Sequence, residues 1–572
     1  MVKIEVNGKK LEVNKGETIL SAVRKNGIDI PTLCYLEDMS PSGACRICVV
    51  EVEGMNQLIP SCSYPVHEGM KIFTHSNKAR EARKTIIELL LANHPDDCLY
   101  CDRSNNCQLS KLAYEYGVRQ RRFTGKKNSH KLDISSPSIV RDPEKCILCG
   151  KCVRVCEEVQ AVAAIDFAGR GCHTKISCSF DESINVSSCV NCGQCIMVCP
   201  TGALREQDHI QKVIQAINDP EKYVVFQHAP SISVTLAEEF NQPAGKDICG
   251  VMTAALRKMG ADRVFDTSFS ADLTIMEEAS ELIERVKNSG TLPMMTTCSP
   301  GWIKFVEQSY PEFLPNLSTC KSPQQMLGAI IKNYFAKKEN IDPSKIFNVA
   351  LMPCTAKKFE SERPEMKVEG ISDLDAVLTT REIAKLIKRF GIDVASLEPE
   401  AADIPFGSRS TAGKLFGATG GVMEAAVRTA YKMLTNEDLE ELKLSKLRGA
   451  DGIKESSIKV GDLTLGVAVV SGLGNAKKIL EQLKNGRKDL HFIEVMTCPG
   501  GCIAGGGQPI DSDTDKISAR MKTLYQIDKT EKIRTSHENA AVKELYDDFL
   551  GEPLGHLSHK LLHTNFKERK VL

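Results

Sequence analysis

The sequence has no excess of either charge: 74 Lys and Arg stand against 74 Asp and Glu in 572 residues. Nothing in that balance draws the chain to nucleic acid or to an anionic membrane surface. It also lacks any run of about 18 apolar residues, the length a membrane-spanning helix needs. Behind the amino-terminal MVKIEVNGKK there is no apolar signal core, so a cytoplasmic location is expected. These absences leave open a large enzyme, because 572 residues make about three to four typical domains.

Cysteine, by contrast, is plentiful. Most of the 23 cysteines sit in Cys-x2-Cys runs, which in a reducing compartment indicates metal rather than disulfides. Zinc ribbons use two such pairs, whereas longer runs of three or four closely spaced cysteines suit iron-sulfur clusters.

The pattern along the chain predicts an α+β multidomain protein in four parts. Residues 1–78 open with Val2, Ile4 and Val6, then Asn7-Gly8, then Leu11 and Val13, which is a β-hairpin pattern, followed by a short helix from Thr18 to Asn26. Residues 79–125 contain a helical stretch, AREARKTIIELLLANHP, a Cys-rich loop and a basic tail, RQRRFTGKK, which reads as a solvated linker. Residues 126–209 hold an internal repeat. Residues 210–572 alternate apolar strands, YVVFQ, IFNVALM and LTLGVAVVSG, with amphipathic helices, which is an α/β pattern.

Iron in such clusters is thiophilic and tetrahedral, so each cluster takes four ligands from loops that wrap it. The repeat reads Cys146-x2-Cys149-x2-Cys152-x3-Cys156 and Cys189-x2-Cys192-x2-Cys195-x3-Cys199-Pro200, the bacterial ferredoxin run whose fourth cysteine serves the other cluster. One 4Fe-4S cluster is then expected on Cys146, Cys149, Cys152 and Cys199, the other on Cys189, Cys192, Cys195 and Cys156. Cys34-x10-Cys45-x2-Cys48-x13-Cys62 keeps the closing Cys-x2-Cys of plant-type ferredoxins with a longer first gap, and reads as a 2Fe-2S site. His94-x3-Cys98-x2-Cys101-x5-Cys107 offers three cysteines where a cubane wants four, so His94 is the candidate fourth ligand. The amino-terminal parts resemble the ferredoxin-like and His/Cys domains shared by large hydrogenases and a complex I subunit, where the same His-x3-Cys-x2-Cys-x5-Cys spacing binds a 4Fe-4S cluster. Four clusters in series make an electron wire, which needs a terminus where chemistry occurs.

Three separated segments carry the remaining grouped cysteines: TTCSPGW (296–302), MPCTAKKFE (352–360) and EVMTCPGGCIAGGG (494–507). They resemble the three signatures of the iron-iron hydrogenases, TSCCPxW, MPCxxKxxE and ExMxCxxGCxxG. The resemblance extends over essentially the whole chain and is nearest the large clostridial type. It implies an N-terminal β-grasp 2Fe-2S domain, a His/Cys cluster domain, a two-cluster ferredoxin-like domain and a large two-lobed catalytic domain. It further implies an H-cluster, a 4Fe-4S cubane joined through a cysteine to a two-iron unit bearing CO, cyanide and a bridging azadithiolate. Cys354 and Cys498 match cubane ligands and Cys502 the bridge. Lys357 matches the lysine on a cyanide, Ser231 and Gln324 match other polar contacts, and Met352, Phe416 and Met496 match the apolar walls. The implied reaction is the reversible 2H+ + 2e- = H2, in an anaerobic setting, with a ferredoxin or flavodoxin as electron partner and maturation proteins supplying the two-iron unit.

One departure stands out, because the family's first motif has two adjacent cysteines and this chain has Cys298-Ser299. In strict register Cys298 matches the proton-relay cysteine and Ser299 a cubane ligand. Alternatively, the loop shifts so that Cys298 ligates and Ser299 faces the bridge, and ligand softness favours that second arrangement. With serine near the bridge, catalytic bias is altered, and a sensory or weakly active hydrogenase becomes an alternative. A Narf-like cluster-assembly protein and a complex I-type electron-transfer subunit account for fewer of the motifs.

In LTIMEEASELIERVKNS, Leu273, Met276, Ala279, Leu282, Ile283 and Val286 recur at helical spacing. Glu278, Glu281 and Arg285 on this helix match the family's proton relay, with Ser318 from another segment; a buried carboxylate with a raised pKa can shuttle protons. Cys172, Cys178, Cys249 and Cys320 are left without a cluster and read as ordinary thiols.

Overall fold

A computed structural model describes residues 1–439, 447–460 and 463–571. The strands Val2–Val6 and Lys9–Val13 pair antiparallel about Asn7-Gly8, both at positive φ as the tight turn requires. They join a five-stranded sheet in the order Lys9–Val13, Val2–Val6, Lys71–Phe73, Val49–Val52, Ile59–Pro60. Against it packs the helix Ile19–Lys25, whose Ile19, Leu20, Ala22 and Val23 are fully buried. Thr18 caps that helix by accepting from the Ser21 amide at 3.2 Å, a contact worth about 1 kcal/mol.

Helix Asn77–Asn93 straddles the expected boundary at 78. Its buried Arg83 donates to the carbonyls of Val49 (2.8 Å) and Thr74 (2.7 Å), tying it to the first sheet. The basic tail after it is largely exposed, as expected of a solvated linker, and its charges pair with the helix end, Arg122 with Glu88 and both Arg121 and Lys127 with Asp96.

The last part is built on two four-stranded sheets. In one, Arg263–Asp266, Tyr223–His228, Ile346–Leu351 and Ala376–Leu378 run parallel in that order. In the other, Met294–Met295, Phe492–Met496 and Leu463–Ser471 run parallel and Ile453–Val460 closes the edge antiparallel. Ser231, Cys298, Cys354 and Cys498 all lie just past the carboxyl ends of parallel strands, where open α/β sheets place their ligands. The helix Thr267–Lys287 is longer than the periodic segment that marked it, and Glu277, Glu278 and Glu281 are buried rather than solvated. No helix among the described residues is long and apolar enough to cross a membrane.

Candidate functional site: cysteine cradles and a proton path

Three of the accessory cysteine groups close into cradles. Cys34, Cys45, Cys48 and Cys62 are buried, with Cys34 within hydrogen-bond reach of Cys45 and Cys62, and Cys48 of Cys62. One cavity is lined by Cys146, Cys149, Cys152 and Cys199, and a second by Cys156, Cys189, Cys192 and Cys195. Each therefore joins three cysteines of one run to the fourth of the other. Burial pushes Cys146 and Cys156 up to about 12, so these thiols keep their protons until metal displaces them. His94 is buried with an unpartnered Nδ1, consistent with a ligand, while Cys98 is exposed and Cys101 and Cys107 half-buried.

The cradles do not follow one another in chain order. Cys149 shares an apolar cluster with Leu33, Cys34 and Cys45, and Arg154 donates to the carbonyl of Cys34. The His94 region reaches the same cavity: Arg103 donates to the Cys199 carbonyl (3.0 Å), Gln108 N to Pro200 O (3.0 Å), and a Cβ on Gly202 would lie 2.7 Å from Cys101 Sγ. Both amino-terminal cradles thus abut the Cys146 cavity, a branch that a linear order along the sequence does not contain. At the other end, Cys192 feels Cys498 before any other charge, and Gln194 donates to Ala504 O at 3.2 Å. Gly506 must lack a side chain here, since a Cβ would overlap the Cys192 carbonyl.

At the terminus, Cys354, Cys498 and Cys502 lie together, Cys354 raising both of the others, and burial pushes Cys502 up to about 12. Lys357 lies among Cys298, Cys354 and Cys502 and opposes their burial. Its ammonium donates to Glu360 at 2.9 Å, and Glu360 also accepts from Ser322 (2.8 Å) and Gln324 Nε2 (2.6 Å). Ser231 Oγ and Gln324 Oε1 are buried without protein partners, which fits polar contacts reserved for a bound group. Phe416 and Met496 share an apolar cluster with Cys298 and Cys502, and Met352 closes another side with Ala229 and Ile232. Gly501, at φ 89, brings the chain so close to Thr419 that a Cβ would sit 2.6 Å from its amide.

Cys298 and Ser299 have different surroundings. Cys298 is half-buried and, among charges, is influenced most by Glu278. Ser299 Oγ sits 2.7 Å from Thr497 Oγ1 and accepts from the Thr497 amide at 3.2 Å, beside Cys498. Ser299 is the N-cap residue of the helix Pro300–Ser309, with Pro300 at its first position, and Cys298 immediately precedes it.

From Cys298 a chain of polar groups leads outward. Glu278 has no partner for either carboxylate oxygen, and burial first, then the Glu281 charge, raise it to about 8. Thr297 and Ser318 flank it. Ser318 Oγ donates to Glu281 Oε2 at 2.7 Å, and Arg285 donates to Glu281 Oε1 at 2.6 Å. The structure thus brings together Cys298, Glu278, Ser318, Glu281 and Arg285.

Sequence reasoning missed Glu360, Glu494 and Thr497. Glu494 accepts from the amides of Gly420 and Met423, both at 2.7 Å, and so fixes the helix Gly421–Thr435 behind Phe416. The first two residues are glutamates within the quoted motifs, a signal that was available; Thr497 matters only through Ser299.

Family models match along the whole chain. They are the 2Fe-2S iron-sulfur cluster binding domain (residues 1–77), the NADH-ubiquinone oxidoreductase-G iron-sulfur binding region (83–122) and the NADH-quinone oxidoreductase subunit 3, ferredoxin-like domain (136–205). The iron only hydrogenase large subunit, C-terminal domain, follows at 222–506 and the iron hydrogenase small subunit at 514–569. The chain is 46% identical to NADP-reducing hydrogenase subunit HndD of Solidesulfovibrio fructosivorans, covering 100% of both. It is 42% identical to iron hydrogenase 1 of Clostridium pasteurianum over 99% of this chain and 100% of the relative. The solved [FeFe]-hydrogenase HydA1 of Chlamydomonas reinhardtii superposes with a TM-score of 0.58 at 40% identity, over 63% of this chain and 99% of that one. Cytosolic iron-sulfur assembly component 3 of Bos taurus is more remote, 31% identical over 64% of this chain and 81% of the relative.

Proposed function

We propose, for a chain that belongs to the iron-only hydrogenase family, how its own residues divide the work of the reversible reaction 2H+ + 2e- = H2. Cys34, Cys45, Cys48 and Cys62 hold a 2Fe-2S cluster, and His94, Cys98, Cys101 and Cys107 a 4Fe-4S cluster. Two further cubanes sit in the Cys146 and Cys156 cavities, and Cys354, Cys498 and Cys502 hold the cubane of the H-cluster, with Ser299 at its fourth corner. When bound, the two-iron unit with its CO, cyanide and azadithiolate supplies an open metal position and an amine base for dihydrogen chemistry.

The protein residues do the rest. Lys357, Ser231 and Gln324 orient the small ligands, and Met352, Phe416 and Met496 exclude water. Cys298 Sγ exchanges protons with Glu278, which passes them by Ser318 and Glu281 to Arg285 near the surface. Glu278, near 8, keeps a proton at neutral pH yet can release it, as a carrier must. The observation that carries this reading is that Glu278 is the charge acting most on Cys298, while Ser299 is hydrogen-bonded to Thr497, the residue before Cys498.

Hydrogen uptake and evolution, assayed after maturation alongside infrared spectra, test it. Expected are CO and cyanide bands and turnover in both directions. A matured chain without those bands is instead a non-catalytic cubane protein like the assembly components. Electrons arrive from a ferredoxin or flavodoxin in this reading. The full-length likeness to a protein named as a hydrogenase subunit supports a second one, in which this chain works within a larger assembly. Isolation from its native cells under mild conditions separates the two: co-purifying subunits favour the assembly, a lone chain the soluble carrier.

A further inference from the structure

Behind the catalytic pocket, three potential metal ligands meet where two parallel strands and a helix converge. His228 ends the strand Tyr223–His228, Asp266 ends its neighbour Arg263–Asp266, and the two residues are direct register partners. Cys249 opens the helix Cys249–Lys258. One ligand atom from each of the three lies within 4.8 Å of the others. None of them belongs to a cluster motif.

Two features mark this group as unfinished. Both ring nitrogens of His228 are buried with no hydrogen-bond partner, although a ring nitrogen left dry costs about 1–3 kcal/mol. Its obvious partner is not at bonding distance either: Nδ1 to Asp266 Oδ1 is 3.8 Å. That separation exceeds a hydrogen bond but approaches the roughly 3.5 Å between two ligands on a tetrahedral ion with bonds of about 2.1 Å. Burial also keeps the imidazole neutral, the form that binds metal.

We propose that His228, Cys249 and Asp266 form a mononuclear site for zinc, separate from every iron-sulfur cradle. Mixed imidazole, thiolate and carboxylate donors are the set a borderline divalent ion takes, with a fourth position left for water. Arg409 Nε, 3.2 Å from Asp266 Oδ2, orients the carboxylate from the far side. Lys414, whose buried ammonium also lacks a partner, is the charge that acts most on Cys249 and compensates its thiolate. On binding, the Cys249 proton passes to solvent and a sulfur–zinc bond replaces the S–H bond. Cys249 is half-buried beside the exposed Asp247, which gives the ion a way in. The ion would cross-link two strands and a helix at the point where Asp266 also caps the helix that carries Glu278 and Glu281, by accepting from Ser268 N at 2.8 Å.

The test uses the full chain with its accessory clusters loaded, equilibrated with a small excess of Zn2+ and then desalted. Metal analysis should find about one zinc per chain, falling more than tenfold in His228→Gln and in Cys249→Ser, with iron content unchanged. Zinc X-ray absorption should show one sulfur and the rest nitrogen or oxygen. Zinc below a tenth per chain in the unaltered protein overturns the proposal. So does a shell of three or four sulfurs, which would place the ion in an empty cluster cradle. Should either variant misfold, the absorption spectrum of the unaltered protein decides alone. Because no step depends on hydrogen turnover, its outcome is independent of the hydrogenase reading.

Discussion

A serine hydroxyl is less acidic than a thiol and binds iron more weakly, so Ser299 is a chemically consequential departure from the paired cysteines of the signature that this loop resembles. With Ser299 at the fourth corner, the cubane of the unmatured chain should shed an iron under mild oxidation and give a three-iron EPR signal. Ser299→Cys should suppress that signal and shift catalytic bias. Identical EPR in the native, Cys and Ala forms would remove Ser299 from the coordination sphere. Glu278 supplies a second prediction at the same scale. Glu278→Gln keeps shape and removes the transferable proton, so turnover should fall about 10²–10⁴-fold with accessory-cluster spectra unchanged. The sign of its pH effect follows from a folded pKa raised to about 8. Between the ordinary carboxyl range near 4.5 and about 8, the folded state holds a proton that the unfolded state has lost. Stability therefore falls as pH rises through that window, and the Gln variant should lose this dependence in denaturant titrations.

At the scale of elements, much was legible because local rules and global packing agree. Asn7-Gly8 forces its hairpin, Thr18 caps its helix, and the ferredoxin repeat groups three cysteines of each run with the fourth of the other, as its spacing predicts. The helix Thr267–Lys287 was legible only in part: its apolar stripe is real, but Glu277 on the same helix is buried too, accepting from Tyr546 at 2.5 Å. No single-helix periodicity reveals that a distant carboxyl-terminal segment covers the second face. For Cys298 and Ser299 the motif register and ligand softness pointed opposite ways, and their neighbours Thr497 and Glu278 reach that loop only on folding. The junction of the ferredoxin repeat with the CPGGCIAGGG loop is a close approach of two backbones, and Gly506→Ala should push them apart. We expect a loss of about 1–3 kcal/mol in chemical denaturation and slower reduction of the terminal cubane in stopped-flow traces, each cluster keeping its own spectrum.

For the molecule as a whole, the decisive feature is that two cradles converge on one. Cys34 and Cys45 reach the Cys149 side of the first ferredoxin cavity, and Arg103 and Gln108 of the His94 region reach its Cys199–Pro200 side. Electrons tunnel between neighbouring centres, so contact rather than sequence order would set the route, and this adjacency predicts a fork with a common stem through the Cys146 cavity to Cys192 and Cys498. A fork and a series predict different losses. Cys62→Ala, which removes the 2Fe-2S centre, should leave substantial dye-driven hydrogen evolution through the His94 branch, and removing the Cys98 centre should leave it through the other. Cys149→Ala, in the stem, should lower evolution from either entry by more than tenfold. If either amino-terminal removal alone abolishes turnover while the remaining clusters stay loaded, the centres act in series and the fork is wrong. A fork also gives the chain two faces at which donors can dock, so a protein donor specific to one branch should lose its activity with that branch while a small dye does not.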